Sequence, residues 1–130
     1  MVGSLAPRLL FVGKYGAVRY PGAMEDRPLE CCPDLRAAFD LLGKRWTALI
    51  LDVLAARPAR FCEIHRAIPG LSDRLLAERL RELVTAGVVC RSGEPAARAA
   101  YALTGRGRQL LPGLDELRGW ARAEPVATPR

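Results

Sequence analysis

Two sets of side chains in this sequence have the types and spacings that chemistry requires. The first is a pair of adjacent thiols, Cys31 and Cys32, followed at once by Pro33. Proline is favoured at the first position of a helix, so Cys32 is expected at an N-cap. Free amides and the helix dipole at such a place favour the thiolate, the form that is oxidised or alkylated. Adjacent cysteines are also able to close a strained vicinal disulfide or to hold a soft metal such as copper(I). Glu25, Asp26, Glu30 and Asp34 nearby oppose a thiolate, and the plain alternative is that Cys32 only caps or packs. The second set is a polar stripe of Arg74, Glu78 and Arg81, with Ser72, Asp73 and Ala77 beside it. Residues three and four apart share one face of a helix. Arginine carries a planar fork of donors suited to phosphate and to base edges. The bland alternative is a solvated surface with an Arg74–Glu78 ion pair at i,i+4.

Other chemistries find little footing. Cys31, Cys32, Cys62 and Cys90 contain no CxxC spacing, and His65 is the one histidine, so no metal site and no cofactor are expected. There are no paired carboxylates on one face and no Gly-rich phosphate loop, so catalytic residues are not expected either. Cys90 reads as a small core residue sharing a strand face with Val88, and Cys62 as structural at a helix start.

The stripe needs an element to hold it. Leu71 to Ala86 has Leu76, Leu80, Leu83 and Val84 at helical spacing, with Leu75 at the border. Ser72 is a good N-cap, Asp73 suits the positive end of the dipole, and Gly87 is a left-handed stop. Upstream, Phe61 to Ile68 predicts a short helix with Ile64 and Ile68 on one side. Only Pro69, Gly70 and Leu71 separate the two, the spacing of a helix-turn-helix. Downstream, Val88 to Arg91 and Ala99 to Thr104 predict two strands joined by a turn, with Tyr101 and Leu103 on one face. Arg91 and Arg98 fall on or near this hairpin, within reach of phosphate or a minor groove. Helix, turn, helix and hairpin make a winged helix-turn-helix, a mainly α fold with a small β wing.

Here the chain resembles the bacterial HxlR-type transcriptional regulators, relatives of the MarR regulators. The matching residues are Cys32-Pro33, Gly43 to Thr47, Leu49 to Leu51, Arg60-Phe61, Glu63-Ile64, Gly70 to Ser72, Leu76, Leu80, Leu83, Gly87 to Val89, Arg91, Tyr101, Leu103-Thr104, Gly107 and Trp120. The resemblance covers roughly residues 31 to 122. The segment between Cys32 and Trp46 runs about one residue longer than the family pattern, and the wing is poorer in charge and bulk. The resemblance implies a homodimer, repression, and a cysteine at the Cys32 position that senses oxidants or electrophiles.

The rest of the chain frames this module. Its 130 residues suffice for one core without staples. Lys plus Arg is 20 against 14 acids, a net charge of +6. Half of that excess lies in the first 23 residues, so the core is only mildly basic and local placement must carry nucleic-acid binding. No apolar run is long enough to span a bilayer. The short apolar stretch near Leu9 is broken by Lys14 and Arg19 and fits a signal peptide poorly. Residues 1–28 are expected to be a disordered basic extension, with Met24 a candidate natural start. Residues 29–123 form the winged helix-turn-helix with its dimerisation helices, and 124–130 a disordered tail. A first helix is expected over Asp34 to Leu42 and an apolar second one over Lys44 to Ala56, its core stripe being Trp46, Leu49, Ile50, Val53 and Leu54. Lys44 and Arg45 at its start are candidate phosphate contacts. A last helix begins after Thr104 and is broken near Pro112-Gly113. Leu110, Leu114, Leu117 and Trp120 on it exceed what a small domain needs to cover itself. With Leu35 and Phe39 of the first helix they form a candidate dimer interface.

The sequence therefore reads as a cytoplasmic, homodimeric regulator binding double-stranded, pseudo-palindromic operator DNA, with no membrane partner. Its switch is read as thiol modification at Cys32, beside Cys31. The alternatives are a regulator responsive to a ligand or soft metal, and a winged-helix protein-interaction module that binds no DNA.

Overall fold

The computed structural model describes residues 8–13, 16–20, 28–93 and 98–127. The chain divides into two units, Met1–Cys32 and Pro33–Arg130. In the first, β1 (Arg8–Gly13) and β2 (Gly16–Tyr20) pair antiparallel, Arg8 opposite Tyr20, with a bulge between Leu9 and Phe11. The expectation of an unstructured arm does not anticipate this hairpin. Phe, Val and Tyr in these runs are good strand formers.

In the second unit the order is α1 (Pro33–Leu42), α2 (Thr47–Ala56), β3 (Ala59–Arg60), α3 (Phe61–Ala67), α4 (Asp73–Thr85), β4 (Val89–Ser92), β5 (Ala100–Leu103), α5 (Gly105–Arg108) and α6 (Leu111–Ala123). β5 lies between β3 and β4, antiparallel to both. This is the winged helix-turn-helix that the spacing predicts, with a third short strand added. Among the described residues no helix is long and apolar enough to cross a membrane.

One core serves all these elements. Ile50, Leu51 and Leu54 of α2, Ile64 and Ile68 around α3, Leu71, Leu76, Leu80 and Leu83 of the α4 region, and Val88, Val89 and Leu103 of the wing base are buried together. The α2 stripe differs from expectation: Leu51 is buried and Leu49 exposed. TALILDVLAA is apolar nearly all round, so its periodicity selects no face. The helix also starts three residues later than expected. Trp46 takes a left-handed φ of 80° just before it, and Lys44 to Trp46 form the corner between α1 and α2. A bulky residue at positive φ is strained. Trp46 is held by packing, its indole 3.4 Å from where a Cβ on Gly70 would lie and under the Arg45 guanidinium at 4.5 Å.

Cys90 is exposed, not a core residue. Gly87, at φ 75°, ends α4 and turns the chain, so that Val88 donates to Leu83 and accepts from Thr104 before the strand begins. Strand alternation then starts at Val89, which is buried, and turns Cys90 outward. Cys62, read as structural, is exposed as well. The last helix breaks at Gln109-Leu110, just before Pro112, and Thr104 caps α5 by accepting from the Gly107 N–H at 3.1 Å.

α3 is fixed at its start by charge. Glu63 accepts from the Arg57 guanidinium at 2.6 Å and from the Arg60 backbone N–H at 3.0 Å. The Arg57 hydrogen bond, followed by that backbone bond, lowers the Glu63 pKa from 4.5 to about 2. A carboxylate depressed in the folded state adds stability that is complete above its ordinary pKa and is lost as pH falls through the folded value. The stability advantage of wild type over Glu63→Gln, followed by urea denaturation, should therefore shrink between pH 4.5 and about 2. An advantage constant across that window would contradict this role.

Candidate nucleic-acid interface

The turn between α3 and α4 is built by few residues. Gly70 has φ 89°, open to glycine at no steric cost. Leu71 is buried and pins the turn to the core. The Ser72 side chain accepts from the Leu75 N–H at 3.2 Å, the expected N-cap. Leu76, Leu80 and Leu83 are at most 1 % exposed, which fixes the rotation of α4 about its axis. Arg74, Glu78 and Arg81 are exposed on the opposite side, as their spacing predicts. Val84, expected in the core, is 40 % exposed and lies on the flank of the helix beside the half-buried Ala77.

The ion pairs sort the cations. Lys44 reaches Glu82 at 3.0 Å, and Arg79 reaches the same carboxylate oxygen at 3.3 Å. The Arg79 Nε–H also donates to the Arg45 carbonyl at 3.0 Å, tying the α1–α2 corner to α4. Arg57 and Arg60 share Glu63. Arg118 bridges Asp115 of its own helix and Asp52 of α2. By contrast, among the described residues Arg74, Arg81, Arg91 and Arg98 have no carboxylate partner. The Arg74–Glu78 pair of the bland alternative does not form. Four guanidinium groups without a carboxylate partner thus stand on the α4 stripe and the wing.

The wing carries two of them. Arg91 pairs across the ladder with Tyr101, and Ser92 with Ala100. Gly93, at φ 104°, closes the strand end, its Cα so near the returning chain that a Cβ would lie 3.2 Å from the Arg98 carbonyl. Arg98 is exposed there. The wing tip, residues 94–97, lies outside the described residues.

Some candidates sit elsewhere. Asp73 is met by His65 of α3, Nε2 to Oδ1 3.3 Å. Lys44 and Arg45 lie against α4 on the side of Glu82, away from the flank formed by Ala77 and Val84. Cys31 and Cys32 are exposed free thiols, Cys31 Sγ lying 3.8 Å from the Cys32 carbonyl oxygen. Leu35 (59 %), Phe39 (52 %), Leu117 (53 %) and Trp120 (66 %) are exposed, and neither α1 nor α6 has a buried residue. Leu110 and Leu114 pack partly against the core instead. Tyr101 shares the face of Leu103, as alternation predicts, and is half-buried against the core, paired across the ladder with Arg91.

A family model described as HxlR-like helix-turn-helix matches residues 41–126. The chain belongs to that family. This HxlR-like chain is 47 % identical over 94 residues to the uncharacterised HTH-type transcriptional regulator YvaP of Bacillus subtilis (strain 168), covering 71 % of this chain and 87 % of YvaP. It is 44 % identical over 92 residues to the HTH-type transcriptional regulator YodB of the same organism, covering 69 % of this chain and 82 % of YodB. The reduced form of YodB superimposes with a TM-score of 0.65 at 41 % identity, covering 75 % of this chain and 100 % of YodB. The quinone-bound form of YodB gives 0.65 at 41 % identity, over 72 % of this chain and 100 % of that one. The HxlR-like chain is thus a helix-turn-helix transcriptional regulator by family, and α4 occupies the place of the second helix of the motif.

If the paired cations are structural, Lys44→Ala should lower DNA affinity far less than Arg74→Ala, as read by fluorescence anisotropy with a labelled promoter fragment. Equal losses would move Lys44 into the interface.

Proposed function

We propose that the protein is a homodimeric, sequence-specific repressor whose operator affinity falls when Cys32 is oxidised or alkylated. The single observation that carries DNA recognition is the sorting of charge. Lys44, Arg57, Arg60, Arg79 and Arg118 are held by Glu82, Glu63, Asp52 and Asp115, while Arg74, Arg81, Arg91 and Arg98, on the α4 stripe and the wing, face solvent with no carboxylate partner among the described residues. In this reading α4 lies in a major groove with Arg74 as its chief base reader, and the wing follows the adjacent backbone. Ser72 retains a hydroxyl proton to donate, and Glu78 is placed to accept from a cytosine amino group. A bidentate contact is worth roughly 1–3 kcal/mol. Arg74→Ala should therefore weaken operator binding by about that much and relax preference at one base position. Unchanged affinity and preference would refute this orientation of α4.

The homodimer rests on Leu35, Phe39, Leu117 and Trp120, each more than half exposed. Apolar side chains gathered on two helices with no buried residue mark an interface. A two-fold dimer presents two copies of α4 to a pseudo-palindrome. Trp120→Glu should shift the protein to monomer in sedimentation velocity and cost affinity for a full operator more than for a half-site. A variant that stays dimeric would place the interface elsewhere.

The thiol switch is supported by exposure of Cys32 ahead of α1 and by the relative YodB, solved both reduced and quinone-bound. Repression is the sign of control that the family resemblance implies, and the reducing cytoplasm is where such thiols stay free. Diamide should abolish operator binding by wild type and spare Cys32→Ser; equal loss in both would remove Cys32 from the switch. A second reading, control by a small ligand, is favoured by one cavity. It holds about 550 Å³ between α1, Val88 and α5, with Leu41, Leu42 and Leu110 as apolar walls and Arg106 at its rim.

A further inference from the structure

A second concavity lies on the proposed DNA side, between α4 and the wing. It holds about 490 Å³, and Ala77, Arg81, Val84, Thr85, Arg91 and Tyr101 line it along with buried Leu80. The β ladder explains how they meet. Residues paired across antiparallel strands project to the same face of a sheet. Val89 pairs with Leu103 and Arg91 with Tyr101, so one face runs from the buried core outward into this cleft. α4 supplies the other wall: Ala77 and Val84 flank its leucine ridge on the wing side, and Arg81 stands at the lip.

The lining chemistry is one-sided. Two guanidinium groups, a phenol and a threonine hydroxyl surround an apolar floor, and no carboxylate contributes. Among the described residues neither arginine nor the Tyr101 hydroxyl has an ion-pair or hydrogen-bond partner. Such a slot suits a phosphodiester, whose oxygens take the charged and hydroxyl donors while the adjoining sugar lies on alanine and valine. In the DNA-binding reading, with α4 in a groove and the wing on the adjacent backbone, this gap faces the backbone between them.

We infer that the α4–wing cleft is a slot for one operator-backbone phosphodiester, clamped by Arg81 and Arg91 and oriented by the Tyr101 hydroxyl. This rests on the DNA-binding reading and sharpens it. Arg81 shares the exposed face of Arg74 yet serves affinity, whereas Arg74 serves base preference. Tyr101 becomes a positioning residue for the backbone.

The test compares wild type, Arg81→Ala, Arg91→Ala and Tyr101→Phe, each checked for an unchanged thermal melt. Binding is titrated over a salt series to the operator, to single-base variants of it and to unrelated DNA. Each arginine substitution should reduce the slope of log affinity against log salt by about one and weaken all sequences by the same factor. Tyr101→Phe should weaken all sequences by roughly tenfold, as expected for one hydrogen bond to a charged group, with the slope unchanged. If Arg81→Ala relaxes preference at a base position and leaves the slope alone, Arg81 is a base reader and the slot is refuted. Unchanged affinity in Tyr101→Phe also refutes it. A wild type that binds steeply with variants that match it overturns the slot alone. A wild type that binds no DNA overturns the DNA-binding reading and the slot together.

Discussion

The burial of Leu76, Leu80 and Leu83 decides what this molecule shows to its surroundings. The three leucines are essentially inaccessible, packed on Ile50, Leu54, Ile64 and Leu71. Removing a buried leucine costs roughly 2–5 kcal/mol, so the rotation of α4 is not negotiable within a domain of ordinary stability. Once that ridge is down, Arg74, Glu78 and Arg81 have only solvent to face. The turn before α4, the αL glycine after it and the wing beyond it all set their positions from the same ridge.

Charge distribution follows from this packing. The net charge of +6 says little, because it is spread over the chain and half of it lies in the first 23 residues. What matters is which cations have been neutralised locally. Glu82 takes Lys44 and Arg79, and thereby ties the corner at Trp46 to the back of α4. That corner carries the strained left-handed tryptophan, and the ion pairs and the indole stacking hold it in place. The same arrangement that braces the helix-turn-helix from behind leaves its front positive. Two jobs, bracing and recognition, are thus divided among chemically similar side chains by geometry alone.

Much of this was legible in the sequence. Ser72, Gly70 and Gly87 marked the limits of α4, and leucine spacing gave its buried face to within one residue. The HTH turn, the wing strands and the break before Pro112 followed from short-range signals. The less legible parts share a cause: they depend on phase or on distant partners. The face of α2 was ambiguous because the helix is apolar all round. Cys90 was assigned inward because strand alternation was counted from Val88, while the strand starts one residue later. The partners of Lys44 and Asp73 lie on other elements, Glu82 and His65, and no spacing rule announces them.

Recognition by this protein depends on uncompensated positive charge meeting DNA. The most direct measurement is the salt dependence of binding by the reduced wild-type protein to a labelled fragment from its own promoter, against an unrelated fragment of equal length. DNA recognition by the α4 and wing arginines predicts affinity that falls steeply and linearly in log–log form, with the promoter fragment preferred throughout. Binding that ignores salt, or that is equal for both fragments at every salt concentration, would contradict it.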